Sequence, residues 1–270
     1  MSADEVQIRR VETQAEYEEC VRIEDEIWGA GFNERVPSTI LRVSQYLGGV
    51  TAAAFAPDGR ILGFVFGMTG VRDGAMVHWS DLLAVRPEAR NHGLGRRLKL
   101  YQRSLVTPLG VTRMLWTFDP LVAKNAHLNL NALGAMVTEY VPDMYGTDTG
   151  SRLHSAVGTD RFVVAWDLTR EPPGARDAAT VPPPAESLIA NLPAPNGSRI
   201  LLRTALEAPQ VYVMIPGDIQ QVIASDPRTA RIWRESTREA FLRYLECGHR
   251  VTGFHRSGEF AYYRLTRAGE

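Results

Sequence analysis

Apolar positions recur along this chain with two periods, near two and near 3.6 residues, and each switch between them marks a new element. Residues 6–11 alternate and read as a strand. Behind them Thr13-Gln14-Ala15-Glu16 has the form of a capping box, and Tyr17, Cys20, Val21, Ile27 and Trp28 make the apolar stripe of the helix it starts. Gly29 and Gly31 break that helix, and residues 32–37 form a loop leading to a second helix over 38–47. Residues 50–55 and 61–68 are apolar runs on either side of Pro57-Asp58-Gly59, which is strong turn chemistry, so they pair as a hairpin. Gly63 and Gly67 within the second run mark bulges or sites of close packing. Residues 76–85 give a third antiparallel strand, stopped by Arg86-Pro87.

The stretch Arg90-Asn91-His92-Gly93-Leu94-Gly95-Arg96-Arg97-Leu98 follows, and Leu94, Leu98, Tyr101 and Leu105 then fall at helical spacing up to Thr107-Pro108. The two glycines therefore lie at a helix N-terminus. The first four N–H groups of a helix lack intrahelical partners and its dipole is positive there, so an anion is stabilised at that point, and glycine lets a phosphate approach the backbone. This is neither the Gly-Lys-Ser/Thr of a nucleotide P-loop nor the Gly-x-Gly-x-x-Gly of a dinucleotide fold, because position 98 is Leu.

Strand, loop, glycines and helix in this order resemble the Gcn5-related N-acetyltransferases, whose Gln/Arg-x-x-Gly-x-Gly/Ala signature is matched by Arg90, Gly93 and Gly95. The resemblance covers roughly residues 6–168. It implies an α/β fold with a mixed, mostly antiparallel sheet flanked by helices, and an acyl-coenzyme A cosubstrate. Its pyrophosphate would rest on Arg90, His92, Gly93, Leu94, Gly95 and Arg96, and its pantetheine arm along the backbone of Leu83 and Val85. Residues 111–118 then form a strand parallel to 76–85, reached by a right-handed crossover, and the resemblance implies a cleft where the two splay. Asn125, in the segment Lys124-Asn125-Ala126-His127, is a further coenzyme A contact by the same resemblance.

Two departures stand out. Ala135 replaces the family's Phe after Leu133-Gly134, and Leu130 stands where many relatives carry the Tyr that protonates the departing thiolate. Tyr140 and Tyr145 are the replacements within reach along the chain, each against the plainer reading of a packing residue. Asp81, two residues before Leu83 and on the same side of an alternating strand, is a base acting through a water, or else a solvated or capping carboxylate. His78 and His127 are weaker candidates for that role. In the resembling family the 32–37 loop walls the acceptor pocket, so Arg35 is set against a substrate carboxylate, with a solvated arginine as the alternative.

Residues 161–168 close this first part as a strand. Residues 171–198 hold seven of the 16 prolines and read as a linker or surface crossover, giving an expected division into 1–170, 171–198 and 199–270. Beyond it residues 210–216 are a strand, 230–245 a helix, and 250–254 with 260–265 a hairpin, which together read as a degenerate half-repeat without the glycine cradle. Arg234 and Arg238 share a helix face at i, i+4. Two adjacent guanidinium groups need an anion between them: an acidic acceptor or a dicarboxylic acyl group on one reading, and Glu235, Glu239 or the first domain on the other.

Composition adds exclusions. At 44% hydrophobic, 23% charged and net charge −1, the chain makes no electrostatic case for nucleic acid or membrane partners. No apolar run is long enough to span a bilayer, so a cytoplasmic location is expected. Cys20 and Cys247 lie far apart with no His at ligand spacing, which predicts neither a disulfide nor a metal site. The expectation is an acyl-coenzyme A N-acyltransferase moving an acetyl or succinyl group to a small amine such as an amino acid. The rival is a non-catalytic acyl-coenzyme A binding or regulatory protein, and a homodimer is left open.

Overall fold

Period-two and period-3.6 segments become, in chain order, β1 (Gln7–Arg10), α1 (Gln14–Trp28), α2 (Ser38–Tyr46), β2 (Val50–Phe55), β3 (Ile61–Arg72), β4 (Ala75–Val85), α3 (Leu94–Val106), β5 (Arg113–Phe118), α4 (Ala123–Ala126), β6 (Met136–Val141) and β7 (Arg161–Asp167). They continue as β8 (Asn191–Pro193), β9 (Ile200–Leu202), β10 (Gln210–Pro216), α5 (Ile219–Ser225), α6 (Pro227–Glu246), β11 (His249–Ser257) and β12 (Phe260–Arg267). The computed structural model describes residues 5–146, 149–151, 157–173, 182–193, 200–202 and 208–267.

A seven-stranded sheet has the order β1-β2-β3-β4-β5-β7-β6, and β10-β12-β11 make a second, three-stranded sheet. β1 to β4 are successively antiparallel, and β4 meets β5 in parallel, as the α3 crossover requires. The fold is thus a mixed, mostly antiparallel α/β arrangement with a smaller C-terminal sheet.

The described chain divides into two compact units, one of residues 1–116, 149–152 and 165–171, the other of 117–148, 153–164 and 172–270. The division cuts β5 and β7 and also passes between Glu171 and Pro172, at the start of the proline-rich stretch, where 174–181 and 194–199 fall outside the described residues. The reason lies in burial: Asp119 is ion-paired to Arg234 and the Tyr263 hydroxyl donates to the Pro120 carbonyl at 2.7 Å, so the chain after β5 packs with the C-terminal elements.

In the first unit the α1 capping box is formed as its residues predict, with Thr13 Oγ1 accepting from Glu16 N–H and the Glu16 carboxylate from Thr13 N–H. Tyr17, Cys20 and Ile23 of α1 pack with Leu41, Ala53, Phe64, Phe66, Leu82 and Ala84 into one fully or nearly fully buried core. In the second unit Phe162, Tyr140, Phe241, Tyr263 and Phe254 form a cluster of edge-to-face and tilted rings 4.7–5.5 Å apart. Cys20 is buried and Cys247 half-buried, both as free thiols.

Candidate functional site

In the first unit the geometry turns on how β4 loses its neighbour. Its parallel pairing to β5 runs Val77–Arg113, His78–Met114 and Trp79–Leu115, and goes no further. On the opposite edge β3 stays paired as far as Gly63–Val85, and the Arg86 N–H bonds the Leu62 carbonyl at 2.9 Å. Backbone polar groups alternate between the two edges of a strand. With Arg86 turned to β3, Val85 and Leu83 direct theirs to the edge that β5 has left. Arg90 Nε donates to the Val85 carbonyl from that side at 2.9 Å.

The loop after β4 is pinned at its start. Arg86, 7% exposed, bonds Glu19, Glu26 and the Ile61 carbonyl at 2.6–2.8 Å, and those carboxylates hold its charge in place. From there Pro87–Ala89 make a tight turn, and Asn91 and Gly93 both take left-handed φ, 66° and 71°. Gly93 is the N-cap of α3, and its carbonyl accepts the first helical bond, from Arg97 N–H at 3.1 Å. No side chain caps α3 and no acidic residue sits in its first turn, whereas α1 and α6 are capped by Thr13 and Asp226. A Cβ built on Gly93 meets nothing within 4 Å. The helix end therefore keeps its partial positive charge and open space before it, the two things a pyrophosphate needs. Arg90 and His92 are exposed beside it, Gly95 and Arg96 half-buried, and Leu94 buried as the helix's first core residue.

Asp81 needs a different argument from the one that the sequence suggests. The β3–β4 register passes from Gly67–Ser80 to Phe66–Leu82, so Asp81 is the extra residue of a β-bulge. Below it, His78 and Ser80 face α3, where Ser80 Oγ donates to Gln102 at 2.7 Å and the His78 ring lies 3.0 Å from the Gln102 amide. Above it, Leu82 and Ala84 join the core under α1. Strict alternation thus does not carry from Asp81 to Leu83. Asp81 lies instead with Trp79, whose indole N–H donates to it at 3.0 Å, and its charge is felt at Glu24 of α1. It is open to solvent yet surrounded by protein, and that crowding raises its pKa above the usual carboxylate value. His78 is excluded as a base, because burial, with the Lys99 charge adding to it, lowers its pKa to about 3.

Glu24 escaped notice in the sequence although its position was visible there. It falls seven residues after Tyr17, on the apolar stripe of α1, where a carboxylate is costly. It is fully buried; Oε2 accepts the Val36 N–H at 2.9 Å, and Oε1 has no hydrogen-bond partner. Burial first, then the neighbouring Asp81 and Asp25, raise its pKa to about 7 against the single bond from Val36 and the charge of Arg35. Arg35 is held by Asp25 in a pair of bonds at 2.7 and 3.0 Å on the surface, so its guanidinium is already engaged.

In the second unit three of the expected site residues bond to carboxylates of the chain itself. Arg234 is 3% exposed, donates twice to Asp119 at 2.7 Å and once to the Val157 carbonyl at 2.6 Å. Arg238 donates to Asp160 through Nε at 2.9 Å and through Nη2, and to Asp143 at 2.8 Å. The anion between the two guanidinium groups is Asp160 of the chain itself, fully buried, which leaves no open clamp for a substrate carboxylate. Tyr140 donates its hydroxyl to the same Asp160 and stands in the aromatic cluster at 8% exposure, where burial and that carboxylate push its pKa far up. Burial works against the Asp160 charge, but the Arg238 bond and the Arg234 charge outweigh it and hold its pKa below the usual value.

Tyr145 differs from Tyr140. It is half-buried, its hydroxyl lies 2.9 Å from Thr117 Oγ1, and the Arg161 guanidinium sits 5.3 Å from its ring centroid. Thr117 is two residues beyond Leu115, the last β5 residue paired with β4. Asn125 is exposed in the single turn of α4, which continues as a π-helical turn over His127–Ala132. The Leu130 side chain is half-buried in that turn, and the His127 ring is 3.2 Å from the Asn131 amide, with burial and Arg256 lowering its pKa.

No family model and no curated protein matches this sequence. Among solved structures the chain is similar to yncA from Salmonella typhimurium with its cofactor acetyl-CoA, at 20% identity and a TM-score of 0.48 over 64% of this chain and 99% of that one. It is similar also to the ribosomal-protein-S18-alanine N-acetyltransferase from Escherichia coli, at 18% identity and 0.48 over 62% and 96%. A third is Chaetomium thermophilum Naa20 in complex with a bisubstrate analogue, at 17% identity and 0.49 over 61% and 87%. Likeness of this degree assigns neither family nor substrate. Among the described residues no group of His, Cys, Asp and Glu could hold a metal ion, and no helix is long and apolar enough to cross a membrane.

Proposed function

We propose that this protein is an acyl-coenzyme A-dependent N-acyltransferase whose acceptor is the primary amine of a small molecule. The observation that carries the reading is the end of the β4–β5 pairing at Trp79–Leu115, which leaves the backbone of Leu83 and Val85 without a strand on the side from which Arg90 reaches Val85. A strand edge that ends in a pinned loop and an uncapped, glycine-led helix start offers an extended amide chain hydrogen-bond partners, and a pyrophosphate its seat, in one continuous stretch from Leu83 to Arg96.

Transfer needs a neutral amine, a carbonyl made electrophilic and a thiol that can leave. Asp81 takes a proton from the acceptor's ammonium group. The nitrogen pair then forms the N–C bond to the thioester carbonyl, whose oxygen gathers negative charge near the free β4 N–H groups. As the C–S bond breaks, the sulfur keeps its electron pair and receives the second amine proton.

Backbone amide resonances give the test. Addition of coenzyme A should shift the amides of Leu83, Val85 and Gly93 to Arg96 together, at concentrations that leave α6 unmoved. Binding that shifts none of these amides removes the strand edge and the cradle from the account.

A further inference from the structure

β3 runs past its neighbour β2, whose pairing ends at Val50–Gly67, while β4 stays beside it as far as Arg72–Ala75. The two strands thus carry a hairpin arm, residues 68–76, beyond the end of β2. Side chains alternate along it between two faces. Val71 and Met76 stand opposite each other on the face that Thr69 and His78 turn to α3, and Met68 lies on the other face, two residues past Phe66 of the core. All three apolar side chains are exposed, Val71 at 74%.

α2 continues this surface. Its Leu41 and Ser44 face inward, and Ser44 Oγ donates to the Gly67 carbonyl at 3.0 Å, next to Met68. Ile40, Val43 and Leu47 follow at i, i+3 and i+7 along the neighbouring stripe, and all are exposed, as is Tyr46 at 89%. Gly48 closes the gap between helix and arm: its carbonyl accepts the Thr69 hydroxyl at 2.8 Å, and a Cβ built on it would lie 3.6 Å from the exposed Leu109 side chain. One apolar surface therefore joins α2, the arm and the turn after α3.

Its size is that of an interface. A large apolar side chain offers on the order of 100–200 Å², so the observed exposures add to roughly 700 Å². A single chain seldom leaves more than about 300–600 Å² of apolar surface in one patch, and a stable complex takes about 800 Å² from each partner. The segment Met68-Thr69-Gly70-Val71-Arg72 also has neither the lysine nor the proline that usually keeps a strand edge single.

Charge points to the kind of partner. The tip of the arm carries Arg72 and Asp73 side by side, both mostly exposed and only loosely paired at 3.6 Å. Two-fold symmetry sets a patch against itself, so Arg72 of each copy meets Asp73 of the other while apolar flank meets apolar flank. A foreign partner would have to match both signs at one point, which a second copy does by construction.

We propose that this surface is the interface of a homodimer, in which a second copy of the chain docks on α2 and the β3–β4 arm. The cradle is not part of it. α3 has 13 residues, about 20 Å of helix, between Gly93 and the turn that holds Leu109, so each copy keeps its own α3 N-terminus free for coenzyme A.

Light scattering and sedimentation on the full chain test the proposal. Native protein should show twice the mass of one chain and fall toward the single mass on dilution. Val71→Lys and Leu47→Lys each set an ammonium group in the contact, twice by symmetry, and each should weaken association about tenfold or more. Both positions are exposed, and a lysine at Leu47 suits the C-terminal end of α2, so melting of the single chain and coenzyme A affinity should stay native. Native protein of single mass at every concentration would overturn the proposal and leave the face to a different partner. A dimer that neither substitution weakens would overturn it as well. Should a variant fail to fold, methyl NMR of native protein decides. Resonances of Val43, Leu47 and Val71 that move together on dilution support this interface, and dilution shifts that spare them refute it.

Discussion

Gly95→Glu should abolish coenzyme A binding in a protein that remains folded. Gly95 is the second residue of α3, and a glutamate at that position suits the helix itself: its charge complements the dipole and its helix propensity exceeds that of glycine by several tenths of a kcal/mol. The same carboxylate occupies the place of the pyrophosphate, engaging the uncapped N–H groups and repelling the ligand. Two charge-assisted bonds lost at roughly 1.5–3 kcal/mol each amount to a hundredfold or greater loss of affinity. Calorimetry and a thermal melt on the same sample separate the two effects. A folded variant with native affinity would show that the α3 terminus is not where the cosubstrate rests. Gly93 makes a poorer test. A side chain there meets no atom, but it must hold the left-handed φ, at a cost of roughly 1–2 kcal/mol to the fold.

Arg234→Ala should destabilise the protein by about 3–5 kcal/mol without changing coenzyme A affinity. Removing this guanidinium leaves Asp119, 11% exposed, with the Leu121 N–H at 2.8 Å and, among the cations of the described residues, the more distant Arg161 at 3.9 Å, besides freeing the Val157 carbonyl. Arg238→Ala should cost less, because its side chain is one-third exposed and Arg234 remains 3.8 Å from Asp160. Denaturant midpoints measure both. The contrary outcome is specific: unchanged stability with a raised Michaelis constant for a carboxylate-bearing substrate would make the pair a substrate clamp after all.

These two predictions divide along the line between what was legible in the sequence and what was not. The strand–loop–helix order around Gly93 was legible because it is local: a strand, a Pro-bearing stop, two glycines and a helical stripe lie within about thirty residues, and their physics is that of a helix end. β2 and β10 match the predicted 50–55 and 210–216 for the same reason. The partners of Arg234 were illegible. Asp119 and Asp160 lie 115 and 74 positions away, and no periodicity connects a helix face to a carboxylate that far along the chain.

Other features left a signal that was not read. Asp73-Gly74, with left-handed φ at both residues, extends the hairpin of β3 and β4 beyond the apolar run that ends at Met68. Glu24 interrupts the α1 stripe as a charged residue among apolar ones, and Asp218 and Asp226 cap the starts of α5 and α6. The bulge at Asp81 left none, since alternation on either side of it is intact and only pairing with β3 shows the extra residue. The end of the β4–β5 pairing was expected from resemblance alone. In the structure it becomes a stated register that stops at Trp79 and Leu115.

The central claim is that this site moves an acyl group from coenzyme A to an amine, and release of free thiol measures it most directly. Acetyl- and succinyl-coenzyme A are each offered with a panel of amino acids and other small primary amines at pH 8, beside controls without amine. The account predicts thiol release that depends on an amine, saturates with it, and disappears in Gly95→Glu. Coenzyme A bound at the α3 terminus with no amine-dependent thiol release across the panel would contradict it, and would leave a protein that binds the acyl carrier without using it.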